Sequence, residues 1–433
     1  MKVLMFGWEF PPHKSGGLGT ACLGLTKGLA SFRDVEVTFV VPKVWGDEDH
    51  AHITLMGANE IPVIHHQIQF ADAPSKVEYY ELRSNLIPYL GTSEFYELKA
   101  EVSSKNTSLI ETTEEGKVMF TGDYGQNLFQ EIDHYATVAE TIAREFEFDV
   151  IHVHDWMTFP AGIAAKRISG KPLAVHIHST EFDRSGYQVN PEIYSIEKGG
   201  MDAADQIIVV SNFTRDIVSR KYYIEPEKIK TVYNAVETAY PESKKKHRKN
   251  SKEKTVTFLG RITGQKGPEY FVEAANLVLQ KMENVRFVLA GKGDLRDAMI
   301  RHAAKLNISD HFYFPGFLKD SEVTDLFRMS DVFVMPSVSE PFGIVALEAM
   351  QAAVPVILSK QSGASELLKN VIRVDYWDIH FMATSIYDIL NNQTLSNKLG
   401  RNGQKEVEKL LWKNSAAKVR EIYSRLLEGS DRF

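Results

Sequence analysis

Two carboxylates eight positions apart, Glu340 and Glu348, bracket the most informative loop of this 433-residue chain. The stretch Glu340-Pro341-Phe342-Gly343-Ile344-Val345-Ala346-Leu347-Glu348 follows an apolar run ending near Met335 and leads into a helix. Side chains on a helix tilt toward its N-terminus, so Glu348, about a turn inside, reaches back to a ligand at the helix start. Its carboxylate suits a vicinal diol such as ribose. Glu340, ahead of the helix, can accept hydroxyl hydrogen bonds and stabilise positive charge developing on a sugar's anomeric carbon. The backbone amides of Phe342, Gly343 and Ile344 stand where a helix leaves its donors unused and can hold sugar hydroxyls or phosphate.

Cations occupy a second loop, Gly260-Arg261-Ile262-Thr263-Gly264-Gln265-Lys266-Gly267. The fork of Arg261 and the point charge of Lys266 can clamp one diphosphate from two sides and stabilise it as it departs. The competing reading is a pair of solvated surface cations. The loop's place at the end of a strand in an α/β sheet, where ligands bind, favours the clamp. A third loop, Lys14-Ser15-Gly16-Gly17-Leu18-Gly19, lies between the first strand and a helical run. Gly16 and Gly17 let backbone amides approach an anion, and the helix start adds favourable charge, so phosphate is the expected ligand. The spacing departs from both G-x-G-x-x-G and the P-loop, which disfavours a dinucleotide oxidoreductase and a P-loop NTPase.

A fourth group is polar and stands at two neighbouring strand ends, His154-Asp155-Trp156 and His176-Ile177-His178-Ser179-Thr180-Glu181. Asp155 is placed to hydrogen-bond an acceptor hydroxyl, and His178 a hydroxyl of a donor sugar. His152 and His176 fall at alternating buried strand positions and read as structural; His154 fits either reading. The acidic turn Gly46-Asp47-Glu48-Asp49-His50 lacks clear metal-ligand geometry, and His65-His66 and His50 with His52 read as exposed loop histidines. No metal is expected.

These loops need strands to hold them. Apolar runs rich in Val, Ile and Phe alternate with helical patterns, which predicts parallel βαβ units. Strands are expected at Lys2 to Phe6, Glu36 to Val41, Val150 to His154, Leu173 to Ile177 and Gln206 to Val210. A second series is expected at Thr255 to Leu259, Val285 to Ala290, Phe312 to Pro315, Val332 to Met335 and Pro355 to Leu358. The fold class is therefore α/β, with two Rossmann-like domains at residues 1–242 and 255–415. The basic run at 243–254, without an apolar residue to bury, reads as an exposed linker. At about 45–121 the rhythm fails, aromatic and acidic residues cluster, and an insertion into the first domain is expected. Val419, Ile422, Tyr423 and Leu426 have helical spacing, so residues 416–433 should close the chain as an amphipathic helix.

Composition agrees with two cores, because one core stops growing at roughly 250–300 residues. Hydrophobic residues make up 43% and charged residues 25%, ordinary for a globular protein and unlike a disordered or collagenous one. The single cysteine, Cys22, cannot form an intramolecular disulfide, which fits a reducing cytoplasm. Neither a signal-peptide pattern nor an integral membrane segment is expected, and a formal charge of -7 offers no footprint for nucleic acid.

Taken together, the loops resemble retaining glycosyltransferases of the GT-B fold, specifically the family 4 type and the related glycogen and starch synthases. Glu340 to Glu348 is similar to the E-x7-E motif of that group, supported by Arg261 with Lys266. Lys14-Ser15-Gly16-Gly17-Leu18 is similar to the K-[TS]-G-G-L loop of glycogen and starch synthases, and His154-Asp155-Trp156 to their H-D-W. Gly363 in Ser362-Gly363-Ala364-Ser365-Glu366 matches a G-G-x-x-E stretch only in part. The resemblance implies two domains facing a central cleft, with a nucleotide-sugar donor held between them. It implies donor phosphate on Gly16 and Gly17, Lys14 beside donor or acceptor, Asp155 on the acceptor and His178 on the transferred sugar. Arg261 and Lys266 would take the diphosphate, Glu348 the ribose and Glu340 the sugar ring. The implied reaction is metal-independent and cofactor-free. It would move glucose, with retention of configuration, from UDP-glucose or ADP-glucose to an α-glucan or other saccharide acceptor. Two alternatives stay open: a family 4 transferase acting on envelope glycans or small molecules, and a carbohydrate-binding protein that keeps the fold without turnover.

Overall fold

The computed structural model describes residues 1–13, 16–48, 50–61, 117–121, 127–186, 188–237 and 253–430. Lys14, most of the expected insertion and most of the basic linker lie outside these residues. Lys254, placed in the linker by its charge, already pairs with Val285 as the first residue of a strand.

The first half runs β1 (Lys2–Phe6), α1 (Gly17–Ala30), β2 (Glu36–Val41), β3 (Thr54–Gly57), α2 (Leu128–Glu145), β4 (Val150–His154), α3 (Phe159–Ser169) and β5 (Leu173–Ile177). It continues through α4 (Glu181–Ser185), α5 (Pro191–Ala203), β6 (Gln206–Val209), α6 (Asn212–Tyr222) and β7 (Ile229–Thr231). The second half runs β8 (Lys254–Leu259), α7 (Pro268–Leu279), β9 (Val285–Ala290), α8 (Arg296–Lys305), β10 (Phe312–Gly316), α9 (Asp320–Met329) and β11 (Val332–Met335). Then follow α10 (Ile344–Gln351), β12 (Val356–Ser359), α11 (Ala364–Leu367), β13 (Ile372–Val374), α12 (Ile379–Asn391), α13 (Gln393–Val407) and α14 (Trp412–Ser430).

Two compact units result. One comprises residues 1–210, 214–233 and 412–433, the other residues 211–213 and 234–411. The first has a parallel sheet in the order β3-β2-β1-β4-β5-β6-β7, the second a parallel sheet in the order β10-β9-β8-β11-β12-β13. Every residue of β4 and of β5 is buried, as expected of strands covered by helices on both faces. The second unit's core gathers Val256, Phe258, Phe271, Phe287, Val332, Val334, Ile357 and Ile386 from its sheet, α7 and α12.

Three strands escape the sequence reading: β3, β7 and β13, of four, three and three residues. β7 and β13 are edge strands, and each carries a cation, Lys230 or Arg373, where a central strand would carry an apolar residue. The closing helix begins at Trp412 rather than Ala416 and buries Val419 and Tyr423 in the first unit.

Each strand order reverses direction once, between β1 and β4 in one sheet and between β8 and β11 in the other. Helices depart to opposite faces at such a point, leaving a crevice at the carboxyl ends of the two strands. The loops carrying Gly16, Gly17 and Asp155 follow β1 and β4. Those carrying Arg261, Lys266 and Glu340 follow β8 and β11.

Candidate functional site

In the first unit, Gly16 and Gly17 begin α1, and no side chain caps this helix. Among the described residues a Cβ on either glycine would meet nothing within 4 Å. Asp155 follows β4 with a φ of 59°, a left-handed conformation that costs a non-glycine residue about 1–2 kcal/mol. Its carboxylate explains the placement. Oδ1 accepts the backbone N–H of His178 at 2.6 Å and of Ser179 at 3.3 Å. Asp155 is only 2% exposed and is built into the turn that presents His178.

Four histidines line β4 and the end of β5. His154 Nδ1 and His178 Nε2 are 3.0 Å apart, and His152 Nε2 and His176 Nδ1 3.2 Å apart. The His176 and His178 rings stack at 4.3 Å, and Tyr423 of α14 hydrogen-bonds His152 Nδ1. Burial pushes the imidazole pKa values of His152 and His178 down to about 3, and those of His154 and His176 well below the usual range. All four are neutral near pH 7. Burial acts oppositely on a carboxyl: Asp155 is raised to about 7, although the His178 amide and the Arg184 charge pull it down.

The second unit's reversal point is charged. Lys266 Nζ donates to Glu340 Oε2 at 2.7 Å, and Ser337 Oγ donates to the same oxygen at 3.1 Å. Glu340 is 7% exposed, so the ammonium compensates a largely desolvated carboxylate. Arg261 Nη2 donates to Gln265 Oε1 at 2.9 Å. Gln265 then ties the two loops together: its Nε2 donates to Ser339 O at 3.1 Å, and its own carbonyl accepts Val338 N at 2.9 Å. Glycine is required at two points. Gly267 has a φ of 63°, and a Cβ there would stand 2.3 Å from Pro336 O. Gly343, with a φ of 101°, caps α10, which has no side-chain cap. The buried Phe342 and Ile344 flank Gly343, and the half-buried Glu348 lies in the second turn of α10.

Within the second unit the structure thus unites Arg261, Lys266, Glu340 and the start of α10; within the first it unites Asp155 and His178. Sequence reasoning missed Gln265 and Arg184. Gln265 lay inside the recognised loop, four residues from Arg261, as a polar group between two cations. Arg184 gave no signal of its own, because an i,i+3 pair with Glu181 is ordinary on a helix and its contacts with Glu197 and the Ser179 carbonyl come from the fold.

Among the described residues three groupings bring metal-capable atoms within 4.8 Å: Cys22 with His154 and His178; His152 with His154 and His176; and His13 with Asp47 and Glu48. In the third, the acidic turn is already engaged. Asp47 Oδ1 lies 2.6 Å from His13 Nε2, and Glu48 accepts the backbone amides of Trp45 and Gly46, each at 2.8 Å. Among the described residues no helix is long and apolar enough to cross a membrane.

Two family models match this arrangement. Residues 239–406 match the model for glycosyl transferases group 1, and residues 125–240 that for glycosyltransferase family 4. The chain is therefore a glycosyltransferase of the group 1/family 4 type, with the GT-B fold of two Rossmann-like domains. It is 29% identical to an uncharacterized glycosyltransferase of Methanocaldococcus jannaschii over 99% of both chains. It is 23% identical to the glycogen synthase of Mycobacterium tuberculosis, over 98% of this chain and 94% of that one. Among solved structures, sucrose-phosphate synthase from Thermosynechococcus elongatus superposes with a TM-score of 0.70 at 18% identity, covering 99% of each chain. Anabaena HepE in complex with UDP and glucose gives 0.65 at 18% identity, covering 98% of this chain and 100% of that one.

Proposed function

We propose that the chain is a retaining, metal-independent hexosyltransferase of the glycogen synthase kind, moving glucose from UDP-glucose or ADP-glucose to an α-glucan in the cytoplasm. The observation that carries this reading is the Lys266–Glu340 pair beside Arg261 at the reversal point of the second sheet. A departing nucleoside diphosphate needs fixed positive charge, and in many enzymes electrostatic stabilisation of this kind lowers the barrier more than any other effect. The diphosphate takes Arg261 and Lys266, Glu348 takes the ribose, and Glu340 meets the sugar ring. In the first unit, Gly16 and Gly17 offer amides to phosphate, Lys14 stands near donor or acceptor, Asp155 serves the acceptor side and His178 the transferred sugar.

Neutral histidine suits that last role, because it gives and takes hydrogen bonds with hydroxyls without placing a cation near the developing positive charge. Retention then needs no nucleophile from the protein, since the leaving phosphate can deprotonate the acceptor hydroxyl on the face it leaves. The glycogen synthase relative and the UDP and glucose complex of HepE support the donor and acceptor classes.

The test is nucleotide release from UDP-, ADP- and GDP-sugars, each with and without glycogen, in the presence of a chelator. Glycogen-dependent release from a glucose donor is expected. Release only with lipid-linked or small-molecule acceptors would move the protein to envelope or small-molecule glycosylation. Chelator-sensitive release would end the metal-independent part of the proposal.

A further inference from the structure

Behind the turn that presents His178 lies a buried ionic cluster to which the reaction outlined above assigns no part. Arg184, with 9% of its side chain exposed, donates from Nη2 to Glu197 Oε1 at 2.6 Å and from Nε to Glu181 Oε2 at 3.2 Å. Its third contact is with the turn itself, Nη1 donating to Ser179 O at 3.2 Å. Tyr222 hydrogen-bonds Glu197 Oε2, which also accepts the Glu181 amide at 3.1 Å, and Glu181 Oε1 accepts the Asn190 amide at 3.1 Å. The turn is thus gripped twice: Asp155 holds the amides of His178 and Ser179, and Arg184 holds the carbonyl of Ser179.

We propose that Arg184 is a positioning residue for sugar transfer, fixing His178 through the Ser179 carbonyl. The inference rests on the assignment of His178 to the transferred sugar. Burying three carboxylates, Asp155, Glu181 and Glu197, beside a single guanidinium is costly for stability alone, and replacing such clusters by apolar residues is often neutral or favourable. What the cluster supplies is a fixed carbonyl in the turn that Asp155 holds by its amides.

The groups facing Asp155 are Arg184 of α4, Glu197 of α5, Cys22 of α1 and His178 after β5. Burial raises the Asp155 carboxyl and Glu197 raises it further, whereas Arg184 and the two amides lower it, leaving it at about 7. Removing the Arg184 charge therefore raises it above 7. A protonated Asp155 is a weaker acceptor for the His178 amide, and the turn loosens at neutral pH.

The experiment compares wild type with Arg184→Gln, which removes the charge, and Arg184→Lys, which keeps it. Transfer is followed against pH, and the His178 amide resonance is titrated by NMR in protein labelled at histidine nitrogen. In Arg184→Gln, kcat should fall about 10- to 100-fold, the size of a small misplacement in an active site. The KM for the donor should change less. The alkaline shift should appear both in the rising limb of the pH profile and in the amide midpoint, and Arg184→Lys should return both midpoints to the wild-type value. A purely structural role would lower the melting temperature and leave both midpoints in place, overturning the proposal. If the wild type transfers no sugar, the proposed function fails, and the amide titration alone decides whether Arg184 sets the ionisation of Asp155.

Discussion

The two reversal points of this molecule are built on the same topology and opposite electrostatics. Between β1 and β4 the loops lead to histidines held neutral by burial and to a carboxyl raised to about 7. Between β8 and β11 they carry Arg261 and the Lys266–Glu340 pair, with formal charge present and compensated in place. A neutral hydrogen-bonding surface suits sugar hydroxyls, and a cationic one suits a diphosphate. One architecture is used twice, with opposite electrostatics at its two reversal points.

The sharpest way to break this contrast is Lys266→Ala. On the proposed assignment it removes the cation from the leaving group, and among the described residues it leaves the buried Glu340 carboxylate with the Ser337 hydroxyl. Transfer should fall about 100- to 1,000-fold, the effect of deleting one strong transition-state donor. His178→Ala should fall short of that by about tenfold, because a neutral hydrogen bond contributes less than a charged one. Equal losses would erase the distinction between the regions.

Acid should separate them physically. The four clustered histidines of the first unit have folded pKa values below the unfolded value of about 6.5, so between about pH 6.5 and 3 the unfolded state binds the extra protons. Going from pH 7 to 5 costs on the order of 2 kcal/mol for each of His152 and His178, with His154 and His176 acting in the same direction. Asp155 works against this, since its folded pKa is the higher one and its contribution grows as pH falls through 7. Asp133 and Glu197, raised by burial, act with Asp155, and His134, lowered by burial, acts with the other histidines; the four clustered histidines make the net a loss. Hydrogen exchange at pH 5 should therefore show β4 and β5 losing protection while β8 and β9 keep theirs. Parallel loss in both sheets would contradict the neutral-histidine account.

Gly267→Ala addresses the geometry of the charged region. The positive φ and the 2.3 Å approach to Pro336 O should together cost roughly 2 kcal/mol by denaturant unfolding, with Lys266 displaced and transfer reduced. Smallest of all, Glu348→Ala should weaken donor binding about fivefold by calorimetry and leave kcat nearly unchanged, the loss of one or two hydrogen bonds to a diol.

Much of this was legible in the sequence, for particular reasons. The central strands β4, β5 and β11 are buried throughout and β9 is buried but for Arg286, so they appear as largely apolar runs broken only by His152, His154, His176 and that arginine. The loops at their carboxyl ends hold polar residues that a packed core would not tolerate. The edge strands β7 and β13 stayed hidden because one solvated side lets Lys230 and Arg373 interrupt the pattern. Lys254 read as linker because charge outweighed pairing. The positioning groups were invisible for another reason: Arg184 acts through Glu197, thirteen residues on, and through the carbonyl of a turn whose amides Asp155 holds from a different strand end. Such contacts come from tertiary structure and leave no periodicity.

The central claim is that Lys266 works on the leaving group. The most direct measurement compares Lys266→Ala with wild type on two donors carrying the same sugar, the nucleotide sugar and the glycosyl fluoride, whose departing fluoride needs no diphosphate clamp. A large deficit on the nucleotide sugar that shrinks at least tenfold on the fluoride is expected. An equal deficit on both donors would place Lys266 elsewhere in the reaction and contradict the clamp.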